Sequence, residues 1–169
     1  KLAARLAGYM LKREGYVDNK IGEDLGDADN WGVRVALLAA LGSSSTAELK
    51  VSHVRHDGNG YGPRTEGRIP TANGFVDLAG YQRSGLGFHE SEIDYVGGSE
   101  LELDTARLRI NSQLGEMELV SITSWYRADY LNGMDVDGSP FVMDHNPTEA
   151  KSEASSQDIR LQSSGAQLL

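Results

Sequence analysis

The sequence predicts an all-β fold: an antiparallel, up-and-down sheet of about six strands whose long loops gather at one end. Three observations predict it. Several segments alternate apolar and polar residues with period two, the repeat of a strand with unlike faces. Glycine is abundant, 20 of 169 residues, and clusters with Asp, Asn and Pro between those segments. The connections run long, short, long, short, long along the chain.

The first segment, residues 2–13, is open between strand and helix. Leu2, Ala4, Leu6, Gly8 and Met10 alternate, yet Leu2, Leu6, Tyr9 and Arg13 also fall at helical spacing. Its Ala, Leu, Met, Lys and Arg content favours helix, with Gly15 as the C-terminal cap. Residues 31–41 begin as a strand (Trp31, Val33, Val35, Leu37) and end in helix-friendly Leu-Leu-Ala-Ala. Ala47 to Ser52 alternates again. In Thr105 to Gln113, Ala106, Leu108 and Ile110 oppose Arg107, Arg109, Asn111 and Gln113. A three-residue turn, Leu114-Gly115-Glu116, leads into Met117 to Leu131. There Val120, Ile122, Tyr126, Ala128 and Tyr130 oppose Ser121, Thr123, Trp125, Arg127 and Asp129. These two segments read as one hairpin with a greasy side and a wet side. Last, Ile159 and Leu161 oppose Asp158, Arg160 and Gln162.

Long connections cover 15–30, 55–98 and 133–151; loops beyond ~15 residues are uncommon in compact soluble domains. In an up-and-down sheet this alternation puts every long loop at one end, the asymmetry of outer-membrane barrels. The fold expected is therefore part of a transmembrane β-barrel with long external loops. The longest apolar run, Val35 to Leu41, is far short of the ~20 residues of a spanning helix, whereas a spanning strand needs only about 10. Leu, Ile, Val and Ala would meet lipid, with Trp31, Tyr126 and Tyr130 near the headgroups. Arg107, Arg109, Arg127, Asp129, Asp158 and Arg160 would face an aqueous lumen. A soluble sheet also alternates apolar-in and polar-out. The alternative is accordingly a soluble β-rich secreted or periplasmic module that binds carbohydrate or protein.

Three stretches carry a family resemblance. Arg13-Glu14-Gly15-Tyr16-Val17-Asp18-Asn19 resembles the strand-to-loop exit of TonB-dependent outer-membrane receptors. Gly115 to Arg127, with Leu119, Ser121, Ile122 and Thr123, is similar to a hairpin of that family. Ser156-Gln157-Asp158-Ile159-Arg160-Leu161-Gln162-Ser163 resembles its strand after a long loop. They occur in the family's order and span nearly the whole chain. The resemblance implies a ligand-gated active transporter in the outer membrane of a Gram-negative bacterium, importing a nutrient such as a ferric siderophore. Its implied partners are outer-membrane lipid, a plug domain, the TonB energy-coupling protein and a small-molecule metal chelate. Residues 1–169 would form a single interior segment of the barrel domain, with plug and barrel C-terminus absent. Residues 37–45 depart from the family's usual strand and Pro-containing turn.

Other chemistries find little support. A net charge of −9 disfavours nucleic acid, and the absence of Cys excludes disulfides and thiolate sites. His53 and His56 read as solvated residues at a strand exit. Asp24, Asp27, Asp29 and Asn30 fail EF-hand spacing, because Trp31 takes the fifth position and Leu38 the twelfth. Asp135-Val136-Asp137-Gly138 reads as a turn. Gly58 to Pro63 lacks a phosphate-loop Lys, and no serine sits in a nucleophile elbow. No enzyme, cofactor or metal is expected. A ligand would be sought in the external loops, at Tyr61, Arg64, Phe75, Tyr81, Arg83, Phe88 and His89. Aromatic faces and cations of that kind grip planar or anionic chelates.

Overall fold

The computed structural model describes residues 1–163. Ten strands and no helix are present among the described residues: β1 (Leu2–Arg13), β2 (Asp18–Asn19), β3 (Ala28–Ala40), β4 (Ser45–His56), β5 (Ile69–Thr71), β6 (Gly74–Val76), β7 (Glu90–Ser91), β8 (Ser99–Leu114), β9 (Met117–Asp135) and β10 (His145–Ser163). The six long ones form one antiparallel sheet in the order β1-β3-β4-β8-β9-β10, which does not close and leaves the outer edges of β1 and β10 free. The short ones form two small pairs: β2 runs parallel to β7, and β5 with β6 makes a hairpin.

The long loops, 14–27, 57–98 and 136–144, all leave one end of this sheet, and the short turns close the other. The third loop is nine residues, far shorter than the 133–151 expected, because pairing of β9 with β10 continues to Asp135↔His145. β1 is strand from end to end, against its helical composition. Each of its twelve residues pairs with β3, and that tertiary pairing overrides a propensity worth only tenths of a kcal/mol per residue. Leu37 to Ala40 pair with β4 for the same reason. Tyr9 faces Gly32 across β1 and β3, its ring lying where a side chain would be; a Cβ on Gly32 would sit 2.6 Å from it.

The register is continuous across all five ladders, so paired residues define two faces through the whole sheet. One row runs Leu2-Ala39-Ala47-Ile110-Ser121-Ile159. This face, called here the apolar face, carries Leu6, Val35, Val51, Ala106 and Trp125 in another row. The opposite face carries Arg5, Arg34, Lys50, Arg107, Arg109 and Arg160 with Glu48 and Asp158.

This register corrects the hairpin reading. The turn between β8 and β9 has two residues, not three: Leu114 pairs directly with Met117. Gly115 takes φ 64° while Glu116 does not have positive φ, the pattern of a type II′ turn. Because strands alternate with period two, one residue fewer in the turn exchanges the faces of β9 relative to β8. Ala106, Leu108 and Ile110 therefore share a face with Trp125, Arg127 and Asp129. Tyr126 and Tyr130 lie with Arg107 and Arg109. Tyr126 and Tyr130 are thus off the apolar face. Trp31 and Trp125, the chain's two tryptophans, stand on it instead.

Little of the apolar face is covered. Leu2 is 75% exposed, Ile159 68% and Leu161 55%, and of the sheet's large apolar side chains only Val120 is buried. Packed residues gather in the loop layer instead, where Leu25, Ile93, Tyr81 and Asn19 are buried.

Candidate functional site

The loop layer is tied together at its base. Arg13, at the end of β1, donates from Nε and Nη2 to the Gly26 carbonyl at 3.2 and 2.7 Å. Asn19 Nδ2 donates to the Ile93 carbonyl at 3.0 Å, joining β2 to the segment after β7. Lys20 spans Asp18 and Glu90 across the same parallel pair. These ion pairs push the Lys20 ammonium above its ordinary value. The Gly87 N–H, then Lys20, hold the Glu90 carboxyl below the usual carboxylate range. Leu25 and Ile93 fill the interior between these ties, at 0% and 2% exposure.

The seven loop residues singled out from the sequence divide into three groups. Tyr61, Arg64, Phe88 and His89 come together. Arg64 lies over the Phe88 ring at 5.0 Å, Phe88 meets His89 edge-on at 4.9 Å, and His89 meets Tyr16 at 6.0 Å. Tyr16 in turn meets Tyr61 at 6.1 Å and carries the Arg13 guanidinium at 5.1 Å. The result is a continuous chain of rings with a cation at each end, such as binds planar or anionic groups. Tyr61, Phe88 and Tyr16 are exposed along it. Desolvation, then the neighbouring Tyr61 hydroxyl, holds the Tyr16 phenol above its ordinary value against the pull of Arg13.

Tyr81 and Arg83 are occupied in holding the loop together. Tyr81 is buried, donates its hydroxyl to Glu92, and packs edge-on against Phe141. Burial first, then Glu92, raises its phenol. Arg83 donates to the carbonyls of Gly87 and Glu90. Phe75 stands apart, exposed on the β5–β6 hairpin. Sequence reasoning missed Arg13 and Tyr16. Both lie in the stretch that carried the family resemblance, but nothing local shows that Tyr16 folds against His89.

Of the six residues assigned to an aqueous lumen, Arg107, Arg109, Asp158 and Arg160 share the face opposite the apolar one. Arg127 and Asp129 do not; they stand on the apolar face, with the face exchange at the two-residue turn as the reason. They lie beyond its apolar band, level with His53, Asp104, Arg55 and Glu102 in an ionic collar. His53 meets Asp104 at 2.8 Å there and packs against Trp31 at 4.9 Å. On the opposite face Glu48 pairs with Lys50 at 2.7 Å and Arg107 at 3.5 Å. Arg34, Lys50, Arg107 and Tyr126 line a groove of about 540 Å³ beside them.

A second depression, of about 640 Å³, opens under the loops between Leu11, Asn30, His56, Tyr61 and Met134. One trio of described side chains has metal-ligating character at short range: Asp94, Asp135 and His145. No protein-family model, curated protein sequence or solved structure matches the chain.

Proposed function

We propose that this chain forms part of the wall of a TonB-dependent outer-membrane receptor that imports a nutrient chelate such as a ferric siderophore. One observation carries the membrane placement: the apolar band crosses its face obliquely to the hydrogen-bonded rows. It covers Leu2–Met10 on β1, Trp31–Ala39 on β3 and Ala106–Leu114 on β8, nine residues each; it narrows to Ala47–Val51 on β4, includes Ser121 and Thr123 between Met117 and Trp125 on β9, and keeps only Ile159 and Leu161 on β10. A tilted spanning strand needs about 9–11. The row through Met10 passes Trp31, Arg55 and Glu102 to Asp129, four residues beyond Trp125. The upper edge of the band therefore drops about 13 Å between β1 and β9, four strand spacings or about 19 Å apart, the whole drop falling between Trp31 on β3 and Val51 on β4. That slope is a tilt of about 35°, within the range of barrel strands in a bilayer. Trp31 and Trp125 stand at that edge, where aromatic side chains anchor at headgroups, and the ionic collar begins just beyond.

Each face then has a task. The band meets acyl chains; the arginine-rich face lines a bore that a plug domain fills, its cations pairing with Glu48, Asp158 and acidic groups of the plug. Hydrocarbon requires every backbone group to be paired, so strands beyond β1 and β10 complete the wall. The ring-and-cation chain from Arg13 to Arg64, held at the loop end, meets the chelate. The ordered resemblance in Arg13–Asn19, Gly115–Arg127 and Ser156–Ser163 supports this class of receptor, and TonB supplies its energy.

Because these 169 residues lack Cys, single-cysteine variants, in a full-length protein with any cysteine elsewhere replaced and refolded in vesicles, test the placement. A fluorophore at Leu37→Cys, Leu49→Cys or Leu108→Cys is expected to be quenched by quencher-bearing lipids. The same fluorophore at Ala36→Cys, Lys50→Cys or Arg107→Cys is expected to respond to water-soluble quenchers alone. Equal quenching of the two sets, or a detergent-free monomer with the leucine positions shielded, would favour the soluble binding module.

A further inference from the structure

We infer that Asp94, Asp135 and His145 bind one divalent transition-metal ion, which clips the long loop between β4 and β8 to the ends of β9 and β10. Their ligating atoms lie within 4.8 Å of one another. His145 and Asp135 are register partners at the last rung of the β9–β10 ladder, so their side chains leave the same face. Asp94 arrives from the loop before β8, positioned by its N–H on the Ser139 carbonyl at 3.3 Å and by Gly133 N–H on the Gly98 carbonyl at 2.7 Å.

Two features separate this trio from an ordinary ion pair. His145 Nε2 meets both carboxylate oxygens of Asp94, at 3.1 and 3.2 Å, so a protonated imidazole would neutralise Asp94 alone. Asp135 is left over. It is 1% exposed; its Oδ1 accepts the Gly138 N–H at 2.7 Å, and its Oδ2 has no hydrogen-bond partner. A buried, unpartnered carboxylate oxygen beside a second carboxylate is strongly disfavoured unless a cation or a proton meets it. A divalent ion between Asp94, Asp135 and a neutral His145 balances both carboxylates at once.

The donor set selects the metal class. Calcium takes six to eight oxygens, and magnesium keeps mostly water. One imidazole nitrogen with two carboxylates and an open position for water suits zinc or manganese. Bonds of about 2.0–2.1 Å space tetrahedral ligands ~3.4 Å apart, a contraction that side-chain rotation supplies. The Tyr95 ring stacks on His145 at 4.5 Å and 18°, fixing the plane of the imidazole. This site does not depend on where the sheet resides.

The test is Zn²⁺ titration of the folded, full-length, metal-stripped protein, followed by calorimetry, with Mg²⁺ and Ca²⁺ as competitors. Expected is one site per chain, unaffected by tenfold excess Mg²⁺ or Ca²⁺ and weakened at least tenfold by Asp135→Asn or His145→Ala. In the unsubstituted protein, Co²⁺ is expected to give the visible bands of a four-coordinate nitrogen–oxygen site, a readout that needs no variant to fold. Zinc bound no better than Mg²⁺, or bound equally by a folded Asp135→Asn protein, overturns the site; so does Co²⁺ with only the spectrum of the hydrated ion. Asp94 and Asp135 then share a proton instead.

Discussion

Leu114 and Met117 stand directly opposite each other across a two-residue turn, and this pairing decides which side of the sheet every residue of β9 occupies. With three residues in the turn, Tyr126 would lie with Leu108; with two, Trp125 does, through the Ala106–Trp125 pair in the adjacent row. The placement of Trp125 level with the ionic boundary, and of Arg127 beyond it, follows from that one residue.

Gly115 is where this turn is most sensitive. It holds φ 64°, and a Cβ there would meet nothing within 4 Å. Gly115→Ala therefore adds backbone strain without a clash, and it is expected to cost about 1–2 kcal/mol. Urea unfolding of the protein in vesicles checks this; an unchanged midpoint means that the turn adopts another form.

Charge placed in the band tests the proposed contact with lipid. Leu49 pairs with Leu37 on one side and Leu108 on the other, near the middle of the apolar face. Leu49→Arg is expected to destabilise the membrane-inserted protein by about 2–4 kcal/mol, as a cation near the bilayer midplane does. Lys50→Arg, one residue on and facing the other way, is expected to leave the unfolding midpoint within error.

The loop layer has its own small core, and Leu25 is at its centre with 0% exposure. Leu25→Ala is expected to cost about 2–5 kcal/mol there. The loss should appear as faster protease cleavage within 14–27 and 57–98, with the β-sheet circular dichroism retained. Loss of both signals together would show that sheet and loop layer melt as one unit.

Acid is expected to loosen the same layer through Glu90. Its carboxyl is held low, first by the Gly87 N–H and then by Lys20. A carboxylate held low stabilises the fold above the ordinary value of about 4.3 and loses that contribution as pH falls through the lowered one. Protection against hydrogen exchange at Asp18 and Lys20, whose amides bond to His89 and Ser91, relative to the intrinsic rate at each pH, should fall below about pH 4. Glu90→Gln should flatten that dependence.

The strands were legible wherever alternation was strong. Residues 105–113 and 157–162 belong to β8 and β10, and the rhythm of long and short connections located the loop end. Residues 2–13 were not legible, because what makes them a strand is β3, 15 or more residues away, rather than their own composition. Face assignment was lost at one turn, since period-two patterns carry no record of their own phase across a break. Loop residues chosen by type alone mixed two roles: Phe88 and Arg64 lie open together, whereas Tyr81 and Arg83 are consumed by Glu92 and by carbonyls. Asp94, Asp135 and His145 share no local motif; only the fold makes them neighbours.

The unpaired margins of β1 and β10 bear on how such a ribbon survives synthesis. Each margin displays a repeating set of amide donors and acceptors beside bare leucines, a template to which any extended peptide can add. With those margins unpaired, the most available complement is another copy of the same ribbon. Cut out as it stands here, the ribbon is expected to assemble with itself along those margins.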